Sequence, residues 1–474
     1  MLNVAGELNK LALRSNMSNT FTSYKLSLIL FLSVSFFLTL FSINIFSQEA
    51  NVEPDTTISE GTFVGIVEDR MFENTTAGEF TPGKGFTIFK THVASLNISA
   101  YGLIRYINQM PPYQSYEDHL GRTQIADTRN DIWWHRTFVW LSGFFYTPKL
   151  RYTVSIWGLS ATNQVLLFGN LQYALNQAFT FGAGIVPNLG TRSMQGPWPF
   201  FLGSDRILAE EFFRPGFTSG AWVTGEAFPK FRYWAMIGNN LSQLGITASQ
   251  MSRFMSTSAS FWWMPTTGEF GPRGGSGDFE IHQELATRFG ASFTHCRESR
   301  QSNLSQSSAE TQVKISDGLL FYETNSLADG VTVTEADFDE GSIDLGMKIE
   351  GLHLQVEYYF RNLSNFDLAL SDPSVETDDV PASIFDHGFY VIASYEAIRK
   401  ALQVYASTSW IYDQFQRYPW EVLVGANWYP SGTRSLRLNL QAIHVEKSPA
   451  SSSFGYYIGG QSGLTISTGI DFLF

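Results

Sequence analysis

The last segment of the chain, 462–474, alternates between apolar residues and residues that are small or polar. Leu464, Ile466, Ile470 and Phe472 share one parity, and most residues between them are glycine, serine, threonine or aspartate. Because successive side chains of a strand point to opposite faces, this alternation predicts a β-strand with two different environments. Soluble proteins avoid leaving a long apolar strand at an exposed sheet edge.

The same alternation recurs along the chain and indicates sixteen strands, most of them about the 9–11 residues that a tilted strand needs to cross a bilayer. Aromatic residues make up 15% of the chain and charged residues only 16%, against about 25% charged in ordinary globular proteins. The predicted strands are 92–107, 135–146, 150–158, 166–174, 178–186, 218–226, 231–239, 255–264, 283–295, 342–350, 352–361, 387–395, 402–412, 420–429, 435–445 and 460–474.

The connections between these strands are short on one side and mostly long on the other. The long side includes 108–134, 187–217 and 296–341, whereas 265–282 is a long connection that falls on the short side. Tight turns at one end and long loops at the other are the layout of outer-membrane barrels, whose short turns face the periplasm. With an even number of strands, both ends of the barrel then lie in the periplasm.

The solvent explains why such strands would close on themselves. In lipid every backbone N–H and C=O must find a partner within the protein, and only helices and closed barrels achieve this. We therefore predict an all-β fold, a transmembrane antiparallel β-barrel of about sixteen strands. A soluble β-sandwich is the alternative, since its strands also alternate, but it would not sort long and short loops by side.

The start of the chain predicts export. An apolar run over 26–46 is preceded by the basic residues Lys10, Arg14 and Lys25. The small residue Ser47 follows it, which completes the pattern of a signal peptide. A retained N-terminal anchor is the alternative, because the run is long for a signal peptide. The predicted domains are a signal peptide over 1–47, a short periplasmic extension over 48–91 and an outer-membrane barrel over 92–474.

The sequence contains no pattern for catalysis or metal binding. The single cysteine, Cys296, excludes an intrachain disulfide, and the eight histidines are scattered. The formal net charge of −13 argues against nucleic acid as a partner, since phosphate contacts need basic patches. We predict a protein that is not an enzyme and has no cofactor and no metal. A barrel lipid hydrolase stays as an alternative class, which would need a serine and a histidine close together.

Charged residues on the polar parity of the strands are expected to face the lumen. They could guide ions through a pore, or pair across strands and brace the wall. The expected lumen-facing residues are Arg105, Arg151, Arg232, Arg288, Lys348, Glu357 and Arg437.

The third connection on the long-loop side, 187–217, which we call the third loop, is rich in aromatic residues and proline, unlike a solvated loop. A loop this apolar must be buried, and the barrel interior is the available place. We predict that it folds inward and narrows the pore; the alternative is that the same aromatic residues make it a plug. Charge at a narrowing decides which ions pass. The expected constriction residues are Arg192, Asp205, Arg206, Glu210, Glu211 and Arg214.

Most of residues 83–474 resemble the phosphate-selective porin O and P family of Gram-negative outer membranes. The stretches that carry the resemblance are 83–109, 169–196, 205–226 and 347–362. The resemblance implies a sixteen-stranded barrel, usually a homotrimer, with the third loop inside and small anions diffusing past arginines and lysines. The chain departs from it because no lysine cluster marks a pore mouth and acidic residues accompany the arginines of the third loop. Phosphate recognition favours bidentate arginines without competing carboxylates.

The sequence therefore predicts an outer-membrane porin for small hydrophilic solutes, with anions such as phosphate as one hypothesis. A sealed structural or adhesive barrel is the alternative. The terminal Phe474 resembles the signal that outer-membrane assembly machinery recognises. The expected partners are outer-membrane lipid, that assembly machinery through Phe474, small hydrophilic solutes and two further copies of the chain in a homotrimer.

Overall fold

The computed structural model describes residues 82–83, 85–159, 164–196, 198–241, 255–309, 312–450 and 455–474. The predicted signal peptide and most of the predicted periplasmic extension lie outside these ranges. None of the described helices is long and apolar enough to cross a membrane.

Strands make up most of the described residues, as the period-two alternation requires. They are β1 (Phe86–Lys90), β2 (Ser95–Met110), β3 (Tyr113–Glu117), β4 (Thr123–Asp127), β5 (Asn130–Phe145), β6 (Thr147–Leu159), β7 (Gln164–Ala174), β8 (Thr180–Pro187), β9 (Phe217–Phe228), β10 (Phe231–Gly238), β11 (Ser256–Trp263), β12 (Ala286–Ser299), β13 (Val331–Ile349), β14 (Leu352–Leu370), β15 (Ser383–Ile398), β16 (Leu402–Tyr412), β17 (Trp420–Trp428), β18 (Leu436–Glu446) and β19 (Gly463–Leu473). The helices are α1 (Leu208–Phe213) and two short 3₁₀ helices, Arg192–Gln195 and Pro272–Gly274.

Sixteen strands close into an antiparallel barrel, which confirms the predicted fold. One sheet contains seventeen strands, and one of these, β1, is a short strand that pairs with the start of β2. In the remaining sixteen, each strand pairs with the next along the chain, with β5 following β2. The last strand, β19, pairs with β2 from Leu464↔Met110 to Leu473↔Tyr101 and so closes the wall.

The wall is apolar on its outer face, and on strands such as β14 its inner face is polar, the reverse of a soluble sheet. On β14, Leu352 and Tyr358 are exposed, whereas Gln355, Glu357 and Arg361 on the other parity are at most 1% exposed. An apolar outer band is what a barrel in lipid requires. Exposed aromatic side chains surround the short-turn end as an interfacial girdle; they include Tyr146, Phe228, Trp263, Tyr395, Trp428 and Phe474. The protein is therefore a transmembrane β-barrel of a Gram-negative-type outer membrane.

Several strands extend further into the long-loop end than the alternation predicts, and β13 and β14 extend the furthest. β13 begins at Val331 and β14 ends at Leu370, where both parities carry polar residues. Arg297 of β12 forms ion pairs there with Glu335 and Asp337 of β13 and with Asp367 of β14. Beyond the lipid a strand has no apolar face, so its pattern gives no signal. For the same reason the hairpin β3–β4 lies within 108–134, which was predicted to be loop.

The prediction of short and long connections is accurate, including its exception. The connection between β11 and β12, residues 264–285, is long although it starts from the short-turn end. It folds into the barrel, and Phe270 and Asp278 are fully buried. We call it the inward turn.

The C-terminal residue completes the closure. The backbone N–H of Phe474 donates to Ala100 O, and Ala100 N–H donates to Phe474 O, both at 3.0 Å. Its ring is 41% exposed and lies 5.4 Å from that of Phe86. Recognition of Phe474 by the assembly machinery stays a prediction.

Phe474→Ala tests that prediction, because it keeps both backbone bonds and removes only the ring. We expect the amount of protein in the outer membrane to fall several-fold, while the unfolding free energy of refolded protein changes by about 1 kcal/mol, the value of one aromatic contact. Quantitative blotting of outer membranes and urea unfolding in detergent measure the two effects. Leu473→Ala is the control, and equal membrane levels for both variants and the wild type would contradict a role for the terminal ring.

Candidate functional site in the barrel interior

The third loop, 187–217, lies inside the barrel, which confirms the predicted inward fold. Among its described residues only Phe200 and Arg214 are not buried. A segment buried this deeply must find partners for its backbone polar groups. The wall supplies many of them.

A cluster of aromatic rings holds the first part of the loop against one side of the wall. The ring centroid of Trp198 lies 4.7 Å from that of Tyr101 on β2 and 4.9 Å from that of Phe138 on β5. Phe138 stacks in turn on Trp140 and Trp157. These contacts explain why the segment 137–145 is apolar on both parities: one face meets lipid and the other meets the third loop.

A second part of the wall, strands β16 and β17, caps helix α1. The first N–H groups of a helix have no partners within it. Leu208 N–H donates to Glu421 Oε1 at 2.9 Å, and Ala209 N–H donates to Ser409 Oγ at 3.3 Å. At the other end, Arg361 of β14 lies 4.2 Å from the ring centroid of Phe212. The third loop is thus attached to two parts of the barrel wall and crosses the lumen.

Between these two attachments, Asp205 anchors the loop by charge. Its two carboxylate oxygens lie 3.0 and 3.1 Å from Arg136 Nη2, and Oδ2 lies 3.5 Å from Arg105 Nη1. The hydroxyl of Tyr456, from the loop before β19, exchanges 2.9 Å hydrogen bonds with the backbone of Asp205. All of these groups are buried, so each charge depends on its partner.

Gly203 shows how tightly the loop is packed at this point. A Cβ added to it would lie 2.6 Å from the Tyr456 hydroxyl. The close approach leaves no room for a larger residue.

A second charged cluster connects the loop to β12, β13 and β14. Arg192 N–H donates to Glu357 Oε1 at 2.7 Å, and Arg192 Nε lies 3.5 Å from Asp344 Oδ1. Arg288 donates to the same Asp344 oxygen at 2.8 Å and to Gln195 Oε1 at 2.6 Å.

A small cavity lies beside this cluster. Its volume is about 10 Å³, room for roughly one water molecule. Three guanidinium groups from different segments line it, those of Arg192, Arg273 and Arg288.

A buried lysine fixes the inward turn to the wall, and a histidine links two carboxylates within the turn. Lys348 Nζ donates to Phe270 O at 2.7 Å and to Gly275 O at 2.6 Å. His282 contacts the carboxylates of Asp278 and Glu269. The hydrogen bonds that the His282 imidazole donates to Asp278 and Glu269 raise the pKa of His282 to about 9.

The structure places the residues predicted from sequence as follows. All six expected constriction residues lie on the third loop inside the barrel: Arg192 and Asp205 contact the wall, Arg206 lies 5.2 Å from the Phe201 ring, Glu210 is buried, and Glu211 pairs with Arg214 at 2.9 Å. Of the expected lumen-facing residues, Arg105, Arg288, Lys348, Glu357 and Arg437 are buried. Arg437 pairs with Asp471 at 2.6 Å. The other two are half-buried: Arg151 donates to Pro148 O, and Arg232 pairs with Glu226.

Sequence reasoning missed His135 and Arg136, both buried against Asp205. In the pairing of β2 with β5, Leu103 lies opposite Arg136 and Ile104 opposite Trp134, so His135 is an extra residue in β5. Such a bulge turns two successive side chains to the same face. No strict period of two can find it. Arg273 was missed for another reason. It lies in a connection, where the alternation of strand faces gives no indication of which way a side chain points.

No protein-family model and no curated protein sequence matches the chain. Among solved structures, the chain is similar to the outer-membrane expressed OmpT of Vibrio cholerae, with a TM-score of 0.46 and 10% identity over 82% of this chain and 100% of that one. It is similar to an anion-selective porin from Comamonas acidovorans, with a TM-score of 0.46 and 11% identity over 80% and 100%. It is also similar to the outer membrane channel DcaP of Acinetobacter baumannii, with a TM-score of 0.43 and 9% identity over 82% and 99%.

The class of the protein rests on its own strand pairing. A closed barrel of sixteen strands is in the size range of porins. Its interior is not an open channel in the described residues, because the third loop and the inward turn occupy it.

Asp205→Asn should destabilise the barrel by about 3–5 kcal/mol, because it leaves Arg105 and Arg136 buried with their countercharge removed. Urea unfolding of the refolded protein measures this. Asp367→Asn is the matched control, since Asp367 pairs with Arg297 at an exposed site where such pairs contribute about 0–1 kcal/mol. Equal stability of the two variants would show that Asp205 does not anchor the loop.

The raised pKa of His282 predicts a pH dependence. A group whose pKa is higher when folded stabilises the fold fully below its unfolded value, near 6.5, and loses that effect as pH rises through about 9. The melting temperature should therefore fall between pH 7 and pH 9, and His282→Gln should flatten this slope. Thermal melts of both proteins across this range, with the exposed His92→Gln as control, provide the measurement. A wild-type slope that survives His282→Gln would assign the effect to another group.

Proposed function

We propose that the protein is an outer-membrane channel of the porin type, closed in this conformation, which passes small hydrophilic solutes when the third loop shifts from the wall. The observation that carries this proposal is the third loop itself: a long outer connection lies across the lumen and is held there by aromatic contacts around Trp198 and by charges and hydrogen bonds along the rest of its length. Polar contacts of this kind can be exchanged for water, unlike an apolar core.

Anion preference is the favoured selectivity. Three guanidinium groups, those of Arg192, Arg273 and Arg288, line the cavity beside the loop. The carboxylate of Asp344 contacts two of them, Arg192 and Arg288. Phosphate is one candidate solute, as the sequence resemblance implies, because guanidinium groups match its geometry. A homotrimer in outer-membrane lipid belongs to the same proposal. Recognition of Phe474 by the outer-membrane assembly machinery is a further part of it.

A sealed structural or adhesive barrel is the second candidate. It is favoured by the attachment of the third loop to two parts of the wall and by the small size of the cavity. The two candidates differ in one property, which is whether the loop ever leaves its position.

Single-channel recording of the refolded mature protein in a planar bilayer separates them. We expect brief openings, lost in steps of three if the protein is a trimer. A variant lacking 192–214 should give a larger and persistent conductance, because the segment across the lumen is removed. Circular dichroism and heat-modifiable migration on gels confirm that the variant is folded.

The two proteins together decide the function. The reversal potential of wild-type openings in a salt gradient gives the charge preference. A reversal potential with the sign of a cation-selective channel would refute anion selectivity. Added phosphate that leaves chloride current unchanged would refute a phosphate site. A wild type that never opens beside a conducting deletion variant would establish the sealed barrel.

A further inference from the structure

The inward turn, 264–285, contacts the third loop inside the barrel. Ser276 N–H donates to Phe200 O at 2.9 Å, and a Cβ added to Gly275 would lie 2.6 Å from Phe200 Cβ. Arg192 of the third loop also donates to Gly274 O. The two segments enter from opposite ends, since the third loop begins at the long-loop end and the inward turn at the short-turn end.

Arg273 lies at the centre of this contact. Its Nη1 donates to Trp198 O at 3.0 Å, and its Nη2 donates to Pro82 O at 2.9 Å. Its guanidinium also lies 5.5 Å from the ring centroid of Phe200. One planar group with several donors thus connects the third loop, the inward turn and the chain just before β1.

Arg434 strengthens the same contact from the wall side. Its guanidinium lies 4.6 Å from the Phe200 ring centroid and 5.2 Å from that of Phe279 on the inward turn. It also lies 3.5 Å from Glu280 Oε2. The Phe200 ring is therefore held between two arginines, and one of them belongs to the inward turn.

We propose that the inward turn forms the second half of the constriction and that Arg273 is the residue that positions the third loop against it. The inference rests on the proposed channel function. Opening then requires the two segments to separate. A displacement of the inward turn, which starts at the short-turn end, therefore alters the position of the third loop, which starts at the long-loop end. Because Arg273 also binds Pro82, the segment before β1 is coupled to the same contact.

The coupling has a readout that does not depend on conduction, namely hydrogen exchange in the refolded mature protein. Phe200→Ala removes the ring beneath both arginines. We expect amide exchange over 268–279 to become about ten-fold faster or more, as for a segment that opens locally. Phe213→Ala is the control: this ring also belongs to the third loop and is fully buried, but it stacks on Tyr359. It should loosen α1 and leave 268–279 unchanged.

Either of two results would overturn the coupling. One is exchange over 268–279 that is unchanged in Phe200→Ala. The other is an equal increase in both variants, which would indicate general loosening of the interior. Arg273→Lys should resemble Phe200→Ala in this assay, because it keeps the charge and loses the two-carbonyl fork.

A crosslink tests the requirement for separation. Phe200→Cys and Ser276→Cys are introduced together in a Cys296→Ser background. Oxidation should lower the open probability at least about ten-fold, the effect of roughly 1.4 kcal/mol on the closed state, and reduction should restore it. Openings that persist in the oxidised protein would overturn the requirement. A protein that never opens, reduced or oxidised, would refute the channel function, and the exchange comparison would still decide the coupling.

Discussion

The structure depends on one constraint: in lipid no backbone donor or acceptor of the wall can be left without a partner. β19 meets this constraint by pairing with β2, and Phe474 extends the pairing to the last residue through two bonds with Ala100. Once the sheet is closed, its outer face must be apolar and its inner face becomes the only place for polar side chains. The inverted burial along β14 follows directly from this.

The same requirement governs the interior. The third loop and the inward turn bring their own backbone groups into the lumen, and these groups also need partners. The wall provides them through Glu421 and Ser409 for α1, and through Lys348 for the carbonyls of the inward turn. Buried arginines are matched by carboxylates, as Arg136 is by Asp205. The interior therefore combines aromatic contacts with a polar network, and the polar network can be loosened by changing charge or hydration. An apolar core would offer no such means of opening.

Most of the fold could be predicted from the sequence, because alternation and connection length are local properties. The features of the wall that it did not predict share one cause, which is that the alternation is absent or broken there. β13 and β14 extend past the lipid, where both faces are polar and alternation ends. His135 and Arg136 are brought inward together by a bulge, which breaks the period on which parity depends. In the candidate site, the aromatic residues of the third loop indicated that this loop lies in the interior. The pairing of Asp205 with Arg136 could not be predicted, because it joins residues 69 positions apart. Arg273 was unpredictable because connections have no parity.

The sequence by itself determined the alternation of the strands, the number of strands in the barrel wall and the two kinds of connection, because each depends on which solvent a side chain meets. It also determined that the third loop must be buried, since its rings could not remain in water. Only the tertiary structure decided how far that loop reaches, that the inward turn meets it, and that two parts of the wall hold it. These outcomes depend on distances between residues far apart in the chain, and such distances are set when the barrel closes and fixes its diameter.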